Sequence, residues 1–581
     1  MQTSRKNLEK PAVKAGLKLP VTASDWLVLA LFLLLGGLLL AKIIFSFNIM
    51  WQIFNYPFQV DESEGMIVSE VGMMAKGVDI FAPPSREIFI SAPYTPLYYW
   101  LNLPFLEIMP GSFKPGRLIS FIATLGSALI IFRLVLLYGK TRTKPSFSGA
   151  IIAAASWGSL GLVAFWGGAV KPDITAVFFN LLAIWFAAKW DLGQRAFRFL
   201  GTDGWLYLSA LMAAMSVQTK QTAFAAAAAV LCFALIKRPL SALKFLGLYL
   251  LLGFAPMWLM NLLSNGGFWW HIVTVHELPW SFSNYWKFAS AFTLNYQIYL
   301  VVALFFATLY LVEILPRLLK RRNPFPTLAQ NPATLLLGYA ATTLLVTFSA
   351  GTYGGNHNHL LEFAAAMSIG VGLSLSRLRE WWQSDTKQIY RWIYPLALLL
   401  LAVQALAMFV AEGRIKPADF PVLGSIAPTR ASLTFLHDRF SDPEWLGLQY
   451  RVPQPDQING YSRVVQFITN DTGALIYSDD VSLVMPTGKR IFTTDTFTQT
   501  HATFYGRWDE SQLVQMVRER KFSIIVLRES IQKRVSEGGQ LQDIYLSPAL
   551  ASAILENYDQ TCPDRATIYE PKDKDKSKRC G

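Results

Sequence analysis

Long apolar runs separated by short polar interruptions fill most of the chain, and beyond residue 411 that pattern stops. Residues 1–21 are polar and basic, with Arg5, Lys6, Lys10, Lys14 and Lys18. Residues 26–47 form an apolar run of about 22 residues, enough at about 1.5 Å per helical residue to cross a bilayer core of about 30 Å. Ser24 and Asp25 suit the cap of that helix. The run is too long for a cleaved signal peptide, and no small-residue cleavage site follows it. Residues 48–93 form a polar loop that carries the first cluster of acidic residues. Further spans are predicted near 94–109, 114–138, 147–168, 173–190, 204–219, 222–237, 242–263, 290–315, 333–350, 356–376 and 391–411. Several are short or broken by Gly and Pro, so the pattern predicts about eleven to thirteen crossings.

After residue 411 charges return. Strand-like stretches appear at 474–478, 481–485 and 522–527, with an amphipathic helix predicted over 508–520. Alternating strands and helices predict a small α/β domain of about 150 residues. The chain thus divides into a basic tail (1–25), a transmembrane domain with a large outer loop at 48–93 (26–411), and a soluble domain (412–581). The lysine-rich stretch 572–578 reads as disordered.

Composition narrows the class. The chain is 53% apolar and only 16% charged, with a mean hydropathy of +0.33. Soluble domains carry roughly 25% charge, so a soluble multidomain enzyme, a coiled coil and a disordered chain are excluded. The net charge of +13 is not a nucleic-acid footprint. Its basic residues sit in the N-terminal tail, in short loops and in the C-terminal region, as membrane proteins use them for orientation and anionic lipid attracts them. This predicts a multi-pass protein of the inner (plasma) membrane with a cytoplasmic N-terminus. The loop 48–93 and the C-terminal domain then lie outside. The Lys140, Arg142 and Lys144 cluster also asks to be cytoplasmic, which requires 94–109 to be interfacial or re-entrant, or a boundary to move. Cys232 lies in an apolar helix and is expected to be packing. Cys562 and Cys580 lack metal-site spacing and would suit a disulfide if they face an oxidising compartment.

Five polar constellations interrupt the apolar pattern. The first is Asp61-Glu62-Ser63-Glu64-Gly65, with Glu70 beyond it, at the outer end of the first span. Carboxylates close to hydrocarbon are costly and mark functional candidates. The second runs from Pro93-Tyr94-Thr95-Pro96 to Tyr98-Tyr99-Trp100, where two prolines fix the backbone and the aromatics suit an interface. The third is Lys171-Pro172-Asp173, in which Pro opens a helix and Asp173 lies near its positive end. The fourth, Gln218-Thr219-Lys220-Gln221-Thr222, offers an ammonium to a lipid phosphate. The fifth runs from Gly351 through Asn356, His357, Asn358 and His359 to Glu362. Two His at i, i+2 do not share a helix face, so a two-His helical metal site is weak, and the glycines suit a substrate-facing loop. Walker, HExxH, GxSxG and glycine-rich nucleotide fingerprints are absent, so no nucleotide cofactor is indicated.

In this order the constellations resemble the GT-C superfamily of membrane glycosyltransferases, in particular the bacterial protein mannosyltransferase-like and aminoarabinose transferase-like enzymes. The resemblance is carried by Asp61-Glu62, Lys76-Gly77, Pro93 to Trp100, Arg117, Lys171-Pro172-Asp173, Lys220-Gln221 and the Asn356 to Glu362 region. It implies a polytopic α-helical GT-C-like fold with amphipathic helices in the first outer loop. It also implies a polyprenyl-phosphate-linked sugar donor. Asp61 matches the family's catalytic aspartate. Where the family often has a charged residue before the Pro-rich stretch, this chain has Ser91-Ala92, so no metal is expected.

The expected chemistry is an inverting transfer to an extracytoplasmic hydroxyl on a glycan, lipid or protein acceptor. Asp61 acts as base and Glu62 or Asp173 shapes the site. Lys220, with Lys171 or Arg117, holds the phosphate. Glu64, Glu70, Tyr94, Tyr98, Gln221, Asn356, His357 and His359 are the further substrate-binding candidates. Membrane lipids are expected partners and nucleic acid is not. A transporter or flippase of lipid-linked precursors would use similar intramembrane charges, and a non-catalytic assembly subunit is a third class; both stay open at this point.

Overall fold

In lipid an extended backbone finds no water to satisfy it, so apolar runs close their hydrogen bonds internally as helices. The computed structural model of the protein describes residues 22–106, 108–141, 144–194, 203–320, 325–331, 333–384, 390–411, 455–541, 545–563 and 567–572. Among these, seven helices are long and apolar enough to cross a membrane: Ala23–Asn55, Lys114–Tyr138, Pro172–Asp191, Pro239–Leu263, Phe282–Leu319, Ala333–Gly351 and His357–Trp382. The other expected spans are shorter or broken helices. They are the pair Phe147–Ser159 and Gly161–Trp166, then Gly204–Thr219, Ala225–Lys237 and Ile393–Ala411.

The 94–109 stretch needs correction. Its helix, Pro96–Leu106, has 11 residues and reaches only about 16 Å, half a bilayer core. Removing it from the spans lets the rest alternate in direction. Residues 61, 94, 171, 220 and 356–359 then fall at one end of the bundle. At the other end Tyr138 and Lys237 both bond Asp191, Arg379 bonds Ser148 and Arg391 bonds Ser24. The first helix is also capped differently than expected. Thr22 is the N-cap and Asp25 completes a capping box with it, while Ser24 is a helical residue. Cys232 is exposed on its helix rather than packed. Cys580 and residues 573–581 lie outside the described residues, as does the Cys562 side chain.

Residues 455–572 build a four-stranded sheet in the order 476–478, 524–527, 567–571, 558–563. The first pair is parallel and the others antiparallel. The stretch 481–485, expected as a strand, is instead the helix Val481–Val484. The Asp480 side chain accepts from the Ser482 N–H and caps it, a local bond that outweighs β propensity over four residues. The expected 508–520 helix is Ser511–Arg518.

This region is not a free appendage. Tyr56 and Phe58 from the end of the first span pack with Val464, Ile468, Ile476 and Leu483. Phe89 and Val275 join Tyr477, Phe492 and Trp508 in a second core. Phe89 also exchanges backbone bonds with the 492–494 segment. The outer loop is therefore clamped between the bundle and the sheet.

Candidate functional site

Asp61 owes its position to helix capping. The chain leaves the first span, turns through 56–60 and starts the helix Glu62–Ala75 with Asp61 as N-cap. One carboxylate oxygen accepts from the Ser63 N–H at 3.1 Å and from the Ser63 hydroxyl. The same oxygen faces the Lys171 ammonium at 3.2 Å, and Lys171 also donates to the Ser63 hydroxyl at 2.6 Å. Lys171 is itself the N-cap of Pro172–Asp191, a helix started by the Pro at its first position. Trp166 and Tyr94 flank the ammonium, with ring centroids at 5.3 and 6.0 Å.

Burial pushes the Asp61 carboxyl up, but the Lys171 charge and the Ser63 hydrogen bonds outweigh it and hold the group below the ordinary aspartate value. Burial likewise pulls Lys171 down, and the neighbouring Asp61, Tyr94 and Asp173 more than restore it. Both groups are charged at neutral pH.

A second cation stands next to the first. Lys220, at the end of Gly204–Thr219, pairs with Asp173, which also accepts from the Asn358 amide at 3.0 Å. The second oxygen of Asp173 has no hydrogen-bond partner among the described residues. Gln221 ties the 93 and 272 segments together through their carbonyls, at 2.8 and 3.1 Å. His359 bonds the Ser349 hydroxyl at 2.6 Å.

These groups border one cavity of about 910 Å³ at this end of the bundle. Of the residues expected from the sequence, Asp61, Glu62, Tyr94, Lys171, Lys220, Gln221, Asn356 and His359 line it. Asp173 stands directly behind Lys220. Among the described residues no group of three or more His, Cys, Asp or Glu side chains is arranged to hold a metal ion.

Five expected substrate contacts lie behind the cavity wall instead. Arg117 (1% exposed) and Glu64 (0%) form a buried bidentate pair, with Nε to Oε1 at 2.9 Å and Nη2 to Oε2 at 2.8 Å. Arg117 also donates to the carbonyls of Ile53, Tyr56 and Phe58, and Glu64 accepts from the N–H groups of Val60 and Val170. Glu64 therefore fixes the residues preceding Asp61 and Lys171 against each other, so its role is to position the pair. Glu70 accepts from the Ala92 N–H, the Thr494 hydroxyl and the Tyr99 hydroxyl at 2.8 to 2.9 Å, and links three segments. Tyr98 is buried against Ser120, and His357 is buried between Trp166 and Phe288. All five are consumed by packing that brings distant segments together, which no local pattern reveals.

In the other half of the cavity only Tyr353, in the 351–359 loop expected to face substrate, was legible in the sequence. Asp480, Asp495, Phe497, Arg528 and Tyr545 from the C-terminal region line it, with Tyr353 from the bundle. Arg528 pairs with Glu62 and reaches Asp479 at 3.6 Å. Burial pushes the Asp479 carboxyl up to about 6 despite Arg528. Gln59 donates to Asp480 at 2.9 Å. Nothing in the sequence pairs Asp479-Asp480 with residues 59–62.

No protein-family model matches the sequence, and no curated protein matches it either. Solved structures do. ArnT from Cupriavidus metallidurans in the apo state superimposes with a TM-score of 0.55 at 11% identity, covering 92% of this chain and 98% of that one. The same protein bound to undecaprenyl phosphate gives 0.52 at 12% identity, covering 94% and 98%. At 92–94% coverage of this chain the likeness takes in both the membrane bundle and the C-terminal region, and it shows that the two proteins share an overall fold.

Proposed function

We propose that the protein is a membrane glycosyltransferase that moves a sugar from a polyprenyl-phosphate carrier to an acceptor hydroxyl. The observation that carries this reading is the ionised Asp61 carboxylate beside the Lys171 and Lys220 ammonium groups, all bordering a single cavity at one end of a membrane bundle. The shared fold with a protein solved with undecaprenyl phosphate supports a carrier of that kind.

The chemistry follows from the charges. As the bond between the anomeric carbon and the phosphate oxygen breaks, the carrier gains negative charge, and Lys171 and Lys220 are the cations available to hold it. The acceptor oxygen forms its bond to the same carbon from the opposite face, which inverts the configuration. Asp61 takes the hydroxyl proton. An aspartate with a lowered pKa is a weak base for a free alcohol. It suffices when the hydroxyl has already begun to bond to an oxocarbenium-like carbon and has become acidic. A phosphate arriving beside Lys171 also draws that ammonium from Asp61 and leaves the carboxylate free to accept.

The basic loops near 140, 237 and 317 lie at the end opposite the cavity. The positive-inside rule then supports a plasma-membrane protein with a cytoplasmic N-terminus and an extracytoplasmic cavity. On this reading residues 26–411 are the membrane domain and 412–581 an extracytoplasmic one.

The test is a transfer assay in proteoliposomes with a panel of polyprenyl-phosphate sugars, with the product anomer read by NMR. Wild type should transfer with inversion. Asp61→Asn should lose roughly 10²–10⁴-fold in rate at unchanged expression and thermal stability. Near-wild-type turnover by that variant, or retained configuration, rejects the mechanism.

A further inference from the structure

The half of the cavity away from the lysines carries chemistry that phosphate binding does not use. Three aromatic side chains from separate parts of the chain meet there. The Tyr353 and Phe497 rings stack with centroids 6.0 Å apart and 12° between planes, and Tyr545 meets Phe497 edge-on at 5.5 Å. Tyr353 remains 47% exposed, so the platform is open on one side.

Two backbone features hold the rings in place. Gly354 has φ +75°, and a Cβ there would come within 2.5 Å of the Phe497 ring, so the ring occupies space that only glycine leaves. Tyr545 has φ +55°, which is uncommon and strained for an aromatic residue. Such conformations persist only where the surroundings hold them, and they concentrate at binding sites.

Beside the platform the polar groups are mainly acceptors. Glu62, Asp480 and Asp495 line the same cavity. Asp495 is anchored by the Thr498 N–H at 3.1 Å and the Ser91 hydroxyl at 3.2 Å. The cation among them, Arg528, is held by Glu62 and lies 5.2 Å over the Tyr545 ring. Flat apolar faces next to carboxylate acceptors complement a pyranose, which has an apolar C–H face and a rim of hydroxyl donors. The same carboxylates repel an anionic ligand.

We infer that this half of the cavity is the acceptor site and that the acceptor is an uncharged saccharide. It stacks on the platform of Tyr353, Phe497 and Tyr545 and donates its hydroxyls to Glu62, Asp480 and Asp495. The fate of the saccharide rests on the transfer reading above, but its binding does not. The cavity is then divided by charge. Lys171 and Lys220 face the carrier phosphate, the acidic half faces the acceptor, and the neighbours Asp61 and Glu62 mark the junction.

The test measures equilibrium binding to the full-length protein in nanodiscs. The probes are an array of neutral oligosaccharides of varied linkage, with a Ser/Thr-rich peptide and a phosphorylated glycolipid headgroup as comparators. Wild type should bind at least one neutral oligosaccharide in preference to both comparators. Tyr353→Ala, at a half-exposed position that empties no core, and Tyr545→Ala should each weaken that binding about tenfold. The inference is overturned if no neutral oligosaccharide binds, if a comparator binds better, or if Tyr353→Ala binds like wild type at unchanged thermal stability. Saccharide binding that depends on the platform, in a protein that transfers from no carrier, would remove the transferase reading and keep this site.

Discussion

Replacing Arg117 with Met probes the joint that sets the site geometry. The guanidinium makes five donor contacts: two to Glu64 and one each to the carbonyls of Ile53, Tyr56 and Phe58. Methionine has similar length and supplies none of them. Truncating one partner of a buried ion pair leaves the other charge uncompensated, at about 3–5 kcal/mol. The usual remedy is to replace both partners with apolar residues, which is often neutral or stabilising. That remedy should fail here. Glu64 also accepts the Val60 and Val170 N–H groups, so a Glu64→Leu change orphans two buried donors at about 1–3 kcal/mol each. The double variant, Arg117→Met with Glu64→Leu, should therefore stay several kcal/mol below wild type. Thermal unfolding midpoints of both single variants and the double variant in the same detergent read this as a cycle. A double variant as stable as wild type would refute the claim that the pair acts as a backbone anchor rather than as an interchangeable ion pair.

Two further outcomes follow from the same structure. Burial pushes the Glu70 carboxyl up from 4.5 to about 7, although bonds from Ala92, Thr494 and Tyr99 pull the other way. The folded state thus holds a proton that the unfolded chain releases, so stability should fall as pH rises from about 4.5 to 7, by at most about 3 kcal/mol. Glu70→Gln should flatten that slope in thermal midpoints taken across pH 4.5–8, and an unchanged slope would clear Glu70. A Cβ on Gly267 would meet the Phe81 carbonyl at 2.3 Å and the 82–83 backbone at 2.7 Å, so Gly267→Ala must push the chain apart. It should cost about 1–3 kcal/mol as a lower melting midpoint, and a wild-type midpoint would contradict this packing.

What the linear pattern determines here is whatever depends on neighbours in sequence. Hydropathy over about 20 residues decides that the runs become membrane helices, because the penalty for exposed polar backbone in lipid is local and large. Capping is local as well, and Lys171-Pro172 opening a helix was readable for that reason. Local rules also have close competitors. At 481–485 one aspartate cap turns an expected strand into a helix, and at 94–109 a proline-bounded apolar stretch stops short of a span.

Tertiary structure decided which charges face the cavity and which hold its wall. Asp61 and Glu64 are both carboxylic side chains, three residues apart. One meets the lysine at the cavity, and the other is sealed against Arg117, 53 residues further on. Asp480, Asp495, Phe497, Arg528 and Tyr545 in the distal half of the site lie more than 400 positions beyond Asp61 and are brought back by the apolar clusters around Tyr56 and Phe89. Burial of an ionisable group has its meaning only from its partner, and a partner chosen by packing at that separation leaves no mark on the hydrophobic pattern of either segment.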